Sequence, residues 1–185
     1  HNNEIFRKGG EILRNGGLVA FPTETVYGLG ANALDPEAAK KIYAAKGRPS
    51  DNPLIVHIAH IEDADKYCIT NDVYYKLAEK FLPGALTVIM PKRDCIPHEV
   101  TGGLETVAIR FPSDKNARSL IDAAGIPVAA PSANCSGKPS PTTAKHVLED
   151  MDGRIDMIID GGECSIGLES TIVSIGENCL TILRP

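Results

Sequence analysis

The chain has 185 residues, 43% of them hydrophobic, which is enough apolar material for one domain with a substantial core and excludes a disordered composition. Its net charge of -5 excludes a broad electrostatic grip on nucleic acid or on an anionic membrane, although a local basic pocket survives that argument. Five scattered cysteines without a CxxC pair suit reduced thiols in a cytoplasmic protein; no apolar run approaches the ~20 residues that span a bilayer, and His1-Asn2-Asn3 lacks a signal-peptide pattern and reads as an edge rather than a natural start.

Helical spacing over residues 5–14 is interrupted by Gly9-Gly10, and Gly16-Gly17 stops it before an apolar strand over 18–21. Asp35 as N-cap and Pro36 at the first helical position open a second helix through Ala44. A basic loop, Lys46-Gly47-Arg48-Pro49-Ser50-Asp51-Asn52-Pro53, then leads into a continuous apolar strand over 54–58, suited to the centre of a sheet. Residues 71–81 form a helix closed by Pro83-Gly84, and short β-branched strands follow over 86–90 and 107–111. A helix over 114–124 ends at Gly125, a brief strand covers 128–130, and Ser140-Pro141 caps and starts a helix through Glu149. Only strands follow, over 157–159, 171–175 and 180–183. The order gives a mixed α/β sheet rather than a regular βαβ series, with no repeat and no linker.

Several strings carry chemistry, each with a plainer structural reading beside it. In the basic loop, two prolines stiffen the backbone around Lys46 and Arg48, which suits a phosphate clamp; the alternative is a pair of solvated cations at the negative end of a helix. Gly28-Leu29-Gly30-Ala31-Asn32-Ala33 formally satisfies a dinucleotide fingerprint with Asp51 downstream, but the next helix is capped at Asp35, too late for the glycines to open it. There is no P-loop string. Ser132 and Asn134, in Pro131-Ser132-Ala133-Asn134, follow a strand end, where polar groups face either a ligand crevice or their own turn. His57 and His60 are three apart on a strand, so their rings take opposite faces and a zinc pair is not expected; His57 alone is either a core histidine or a ligand-facing donor.

Phe21-Pro22-Thr23-Glu24-Thr25-Val26-Tyr27-Gly28-Leu29-Gly30, Lys46-Gly47-Arg48, Pro131-Ser132-Ala133-Asn134 and Gly167-Leu168-Glu169-Ser170-Thr171, in this order, resemble the YrdC-like threonylcarbamoyl-AMP synthase family from about Ile5 to Pro185. The resemblance implies a YrdC/RibB-like fold, a twisted mixed sheet flanked by helices with a deep positively charged cavity, and residues 1–185 as a single catalytic domain. It implies a nucleotidyltransferase that makes L-threonylcarbamoyladenylate and pyrophosphate from L-threonine, bicarbonate or carbon dioxide, and ATP carrying Mg2+. The product feeds threonylcarbamoyladenosine modification of tRNA through a downstream transfer machinery, with no membrane partner. No residue is assigned to hold the metal. By the family pattern, Arg48, Asn52, Thr106, Ser132, Asn134, Ser140 and Arg184 match ATP-side positions, with Lys46 and Arg48 neutralising phosphate charge. Thr25, His57, Arg110, Ala130 and Ser170 match positions around threonine, Arg110 as a planar fork for a carboxylate.

Ile182-Leu183-Arg184-Pro185 resembles the close of this domain in longer relatives, which continue through a linker into a second domain. Two other readings stand beside the synthase: an RNA-binding module without ATP chemistry, and a carbamoyl-adenylate-forming domain of hydrogenase maturation. The negative charge, and four Phe and five Tyr without a basic run, weigh against the first. The absence of zinc-binding cysteine pairs weighs against the second.

Overall fold

The computed structural model describes residues 2–47, 52–176 and 180–185. Helix α1 (Asn2–Arg14) is continuous through Gly9-Gly10, which the sequence reading took as an interruption. Its reason lies in the packing against α6 (Lys115–Ala124): a Cβ on Gly9 would stand 2.8 Å from Leu120 Cδ1, and one on Gly10 would stand 2.8 Å from the Ala123 carbonyl carbon. Gly10 lets the helices touch at backbone distance, and Gly9 leaves room for the Leu120 side chain.

After α1 come β1 (Val19–Pro22) and β2 (Tyr27–Asn32), paired antiparallel, the second of which the sequence reading did not see as a strand. The Gly28 to Ala33 string is therefore sheet, and Gly30 is small because a Cβ there would meet Val128 and Phe21 within 3 Å. This is a packing reason for the glycines, in keeping with setting the dinucleotide fingerprint aside. Helix α2 (Pro36–Lys46) starts as predicted, with Asp35 Oδ1 accepting from Glu37 N at 3.0 Å, but runs two residues beyond Ala44. Then follow β3 (Ile55–His57), a 3-10 turn (Ile61–Asp63), α3 (Ala64–Tyr67) and α4 (Asp72–Phe81), the last capped by Asn71.

β4 (Leu86–Pro91), α5 (His98–Thr101), β5 (Thr106–Arg110), α6 with its Asp114 cap, and β6 (Val128–Ala130) follow in turn. Helix α7 (Ala144–Met151) begins later than expected. Thr143, not Ser140, is its cap, accepting from His146 N at 3.2 Å, and the Pro141 carbonyl is taken by Tyr27 N at 2.8 Å. Strands β7 (Met157–Ile158), β8 (Thr171–Ile175) and β9 (Leu180–Arg184) close the chain. The short α3 and α5 carried no periodic signal at four residues each.

The described strands form one sheet in the order β7-β1-β2-β6-β3-β5-β4-β8-β9, mixed parallel and antiparallel. Alternation along each strand splits the core in two. Val19, Phe21, Val128 and Ala130 pack with Leu13 of α1 and with Ala117, Leu120 and Ala124 of α6 on one face, while Ala20, Leu29, Ala31, Val56, Val88 and Ile109 pack with Ile42 of α2 and Ala78 of α4 on the other. Because α1 and α6 cover the β1, β2 and β6 end of their face, the same face over β3, β5 and β4 is left as a hollow. Among the described residues, no helix is long and apolar enough to cross a membrane.

Candidate active site

Strand register decides which side chains share that hollow. Ile55 is opposite both Ala108 and Ala130, and His57 is opposite Arg110, so all five project on one face of the sheet. Gly28, Ala108 and Ala130 have little or no side chain there, and the result is a cavity of about 320 Å³ floored by small residues. Filling it is not free: a Cβ at Gly28 would already lie 3.3 Å from that of Ala130.

The walls are polar. From the β1–β2 loop, Thr23 Oγ1 lies 2.9 Å from Thr25 Oγ1, and Arg110 Nη1 at the end of β5 donates to Thr25 Oγ1 at 3.0 Å. Ser170, just before β8, shares a 2.7 Å hydroxyl bond with Thr87 of β4. Arg184, at the end of β9, donates through Nε to the Ser170 carbonyl at 2.9 Å and through Nη1 to Glu169 at 3.0 Å. Among the described lining residues the charged ones are Arg110, Arg184 and Glu169, so the positive cavity expected from the resemblance rests here on two arginines against one carboxylate.

His57 is buried, with Phe21 edge-on at 5.8 Å between ring centroids. Its Nδ1 lies 3.0 Å from the Ile55 carbonyl and 3.3 Å from that of Val128, so Nδ1 carries the proton and Nε2 is left as the acceptor. Burial, reinforced by the positive charge of Arg110, brings its pKa down to about 3 and keeps the ring neutral. His60 lies beyond β3, which ends at His57, so the alternation expected of a shared strand does not apply to it; it is exposed, with its Nε2 2.8 Å from Asp122 Oδ1. No group of three or more His, Cys, Asp or Glu among the described residues has the arrangement of a metal cage.

Of the sequence-predicted residues, Thr25, His57, Arg110, Ala130, Ser132, Ser170 and Arg184 line this one cavity. Lys46 is not among its lining residues. It ends α2, is 2% exposed, and donates through Nζ to the Ser132 carbonyl, which ties the helix to the strand end that carries Ser132. Arg48, with the rest of residues 48–51, lies outside the described residues. Asn52 is exposed next to the lining Pro53 and accepts at its carbonyl from Tyr43. Thr106 opens β5 opposite Pro91, outside the lining. Asn134 is buried and holds its own turn, donating to the carbonyls of Cys135 and Lys138 at 2.9 and 2.8 Å, while its Oδ1 has no donor among the described residues. Ser140 lines a separate cavity of about 340 Å³ with Lys138, Thr142 and His146. Cys68, Cys95, Cys135 and Cys164 are free thiols, and Cys179 falls outside the described residues.

The sequence reading missed Glu24, which reaches Arg110 from behind. Its carboxylate accepts from Arg110 Nη2, from Ser113 N at 2.7 Å and from Ser113 Oγ. Burial alone would raise its pKa, but the Arg110 charge and the Ser113 donors outweigh that and hold it below the ordinary carboxylate value. A signal did exist: Glu24 is the single charged residue between Arg14 and Asp35, in a stretch otherwise fit for burial.

Comparison with known proteins bears on this geometry. The family model for Sua5, YciO and YrdC proteins, described as telomere recombination, matches residues 11–185. The chain is 54% identical to the threonylcarbamoyl-AMP synthase of Pyrococcus abyssi, over 94% of this chain and 52% of the relative. It is also 54% identical to that of Bacillus subtilis, over 100% of this chain and 54% of the relative. The crystal structure of P. abyssi Sua5 complexed with L-threonine superposes with a TM-score of 0.95 at 53% identity, covering 97% of this chain and 53% of that one. The chain thus spans about half the length of the curated relatives it matches. With the family model matched over residues 11–185 and the fold superposing almost throughout, the chain belongs to the Sua5/YciO/YrdC family.

Proposed function

We propose that this chain forms L-threonylcarbamoyladenylate and pyrophosphate from L-threonine, bicarbonate or carbon dioxide, and ATP. The observation that carries the reading is the convergence of Thr25, His57, Arg110, Ala130 and Ser170 on one small-floored cavity. A relative at 53% identity has been crystallised with L-threonine, and other relatives bear the name threonylcarbamoyl-AMP synthase.

In this reading the Arg110 guanidinium takes the threonine carboxylate by paired hydrogen bonds, a geometry that a planar fork favours. Neutral His57 offers Nε2 as an acceptor for the substrate nitrogen and adds no charge of its own. The threonine amine and bicarbonate join as a carbamate with loss of water. A carbamate oxygen then attacks the α-phosphorus of ATP, the bond to the bridging oxygen breaks, and pyrophosphate leaves. No covalent bond to the protein is required, so the work falls to positioning and to charge stabilisation. Arg184 and Ser132, from opposite ends of the cavity lining, serve the nucleotide together with Arg48, Asn52, Thr106, Asn134 and Ser140, and Lys46 supports Ser132 from beneath. Mg2+ would enter with the nucleotide as part of that substrate and would supply charge neutralisation at the phosphates; no residue of this chain is assigned to hold it, and Glu24 and Glu169 are each engaged by an arginine. The chain is read as one catalytic domain of a longer two-domain protein of the cytoplasm, its product consumed by a tRNA-modifying transfer machinery.

The test follows labelled bicarbonate into an adenylate made by this chain. Incorporation is expected only when ATP, L-threonine and a divalent ion are all present. Incorporation indifferent to threonine, or formation of an adenylate from labelled carbamoyl phosphate without threonine or bicarbonate, counts against the reading and for a carbamoyl-adenylate activity.

A further inference from the structure

Glu24 is 7% exposed and every polar bond it makes points into the protein. One carboxylate oxygen accepts from Arg110 Nη2, and the other accepts from the backbone and side chain of Ser113. Its own carbonyl accepts from Ile166 N at 2.8 Å and Ser165 Oγ at 3.3 Å, and the neighbouring Thr25 carbonyl accepts from Gly167 N at 3.0 Å. Glu24 therefore joins the β1–β2 loop, the end of β5, the turn before α6 and the loop that leads to Ser170. It is absent from the cavity lining, whereas Arg110 is part of it, so Arg110 stands between Glu24 and whatever the cavity holds.

A guanidinium has five N–H donors in a fixed plane. On Arg110 the named partners are the Gly84 carbonyl at a long 3.4 Å, Thr25 Oγ1, and the Glu24 carboxylate. Of these, the carboxylate is the charged and therefore the strongest acceptor, and its second oxygen is itself anchored by Ser113 N and Ser113 Oγ. We propose that Glu24 is a positioning residue: it sets the plane of the Arg110 guanidinium so that the donors left over present a paired face to a substrate carboxylate, and it links that orientation to the loop carrying Ser170. The inference rests on the reading of Arg110 as the threonine-carboxylate group. The alternative is that Glu24 only neutralises a buried cation, which would matter for folding and not for the direction in which Arg110 faces.

Calorimetric titration with L-threonine and, separately, with ATP distinguishes the two, using this chain and its Glu24→Gln, Ser113→Ala, Arg110→Lys and Glu24→Gln/Arg110→Lys variants, with thermal unfolding of each. Glu24→Gln keeps the size and loses the charge; it is expected to weaken threonine binding about 10- to 100-fold while ATP binding moves less than about threefold. In the Arg110→Lys background the same change should add less than about threefold, because the group being aimed is gone. Ser113→Ala removes one anchor of the carboxylate and should weaken threonine binding about three- to tenfold, which settles the matter if Glu24→Gln does not fold. Equal losses for threonine and ATP, full additivity in the double variant, or unchanged threonine affinity in a folded Glu24→Gln or Ser113→Ala chain would overturn the positioning role. Failure of the unaltered chain to bind threonine at all would instead overturn the threonine reading on which it depends.

Discussion

Arg110 shows how far a single residue was legible before the fold was known. As a cation at the end of a β-branched run it suits either a carboxylate fork or a surface salt bridge, and the family pattern favours the fork. The structure buries it to 4% exposure beside Glu24 and turns it onto the cavity wall, which no surface salt bridge would do. Arg110→Lys keeps the charge and loses the fork, so threonine affinity should fall by about 1–3 kcal/mol with a much smaller change for ATP. Titration with each ligand checks this, and unchanged threonine affinity would remove Arg110 from the site. Lys46 went the other way. Its string reads as a stiff exposed clamp, yet its ammonium is directed to the Ser132 carbonyl, because α2 runs on to Lys46 and carries it under the strand end. Loop chemistry was visible in the string, but where the helix stopped was not.

At the scale of elements, signals that act within a few residues survived best. Asp35, Asn71 and Asp114 each accept from the first-turn amides of the helices they precede, and apolar runs at residues 86–90 and 128–130 are strands. Glycine misled, since its local effect is to weaken a helix or a strand, while at Gly9, Gly10 and Gly30 it serves contact with another element. Gly10→Ala should therefore be unfavourable despite the better helix propensity of alanine: the added Cβ meets the α6 backbone at 2.8 Å, and backbone cannot move aside as a flexible side chain can. Loss of about 1–3 kcal/mol is expected from chemical denaturation, and a gain in stability would mean that α1 and α6 are not held at this distance. Ser140 failed as a cap for a related reason. The Pro141 carbonyl is taken by β2, so the chain continues extended and the helix waits for Thr143.

For the whole molecule, His57 and Glu24 make stability depend on pH in a definable direction. The folded pKa of His57, about 3, lies below its ordinary 6.5, so the unfolded chain takes up the proton first. Its contribution is complete above about pH 6.5 and is lost as pH falls toward 3, with a slope of up to about 1.4 kcal/mol per unit. Glu24, held below its ordinary 4.5, adds a loss in the same direction that begins as the pH falls below about 4.5. Urea denaturation between about pH 7 and about pH 5 should show falling stability, and His57→Gln should flatten that slope; a flat profile in the unaltered chain would show that His57 is not buried neutral. Composition, caps and the alternation of apolar runs determined a mixed α/β domain, because those forces act between near neighbours in the chain. What only the tertiary structure decided was the pairing of β3 with β5 and β6, which brings His57, Arg110 and Ala130 together across more than seventy residues. It also decided the backing of Arg110 by Glu24, since a buried charge finds its partner through the fold and not through spacing.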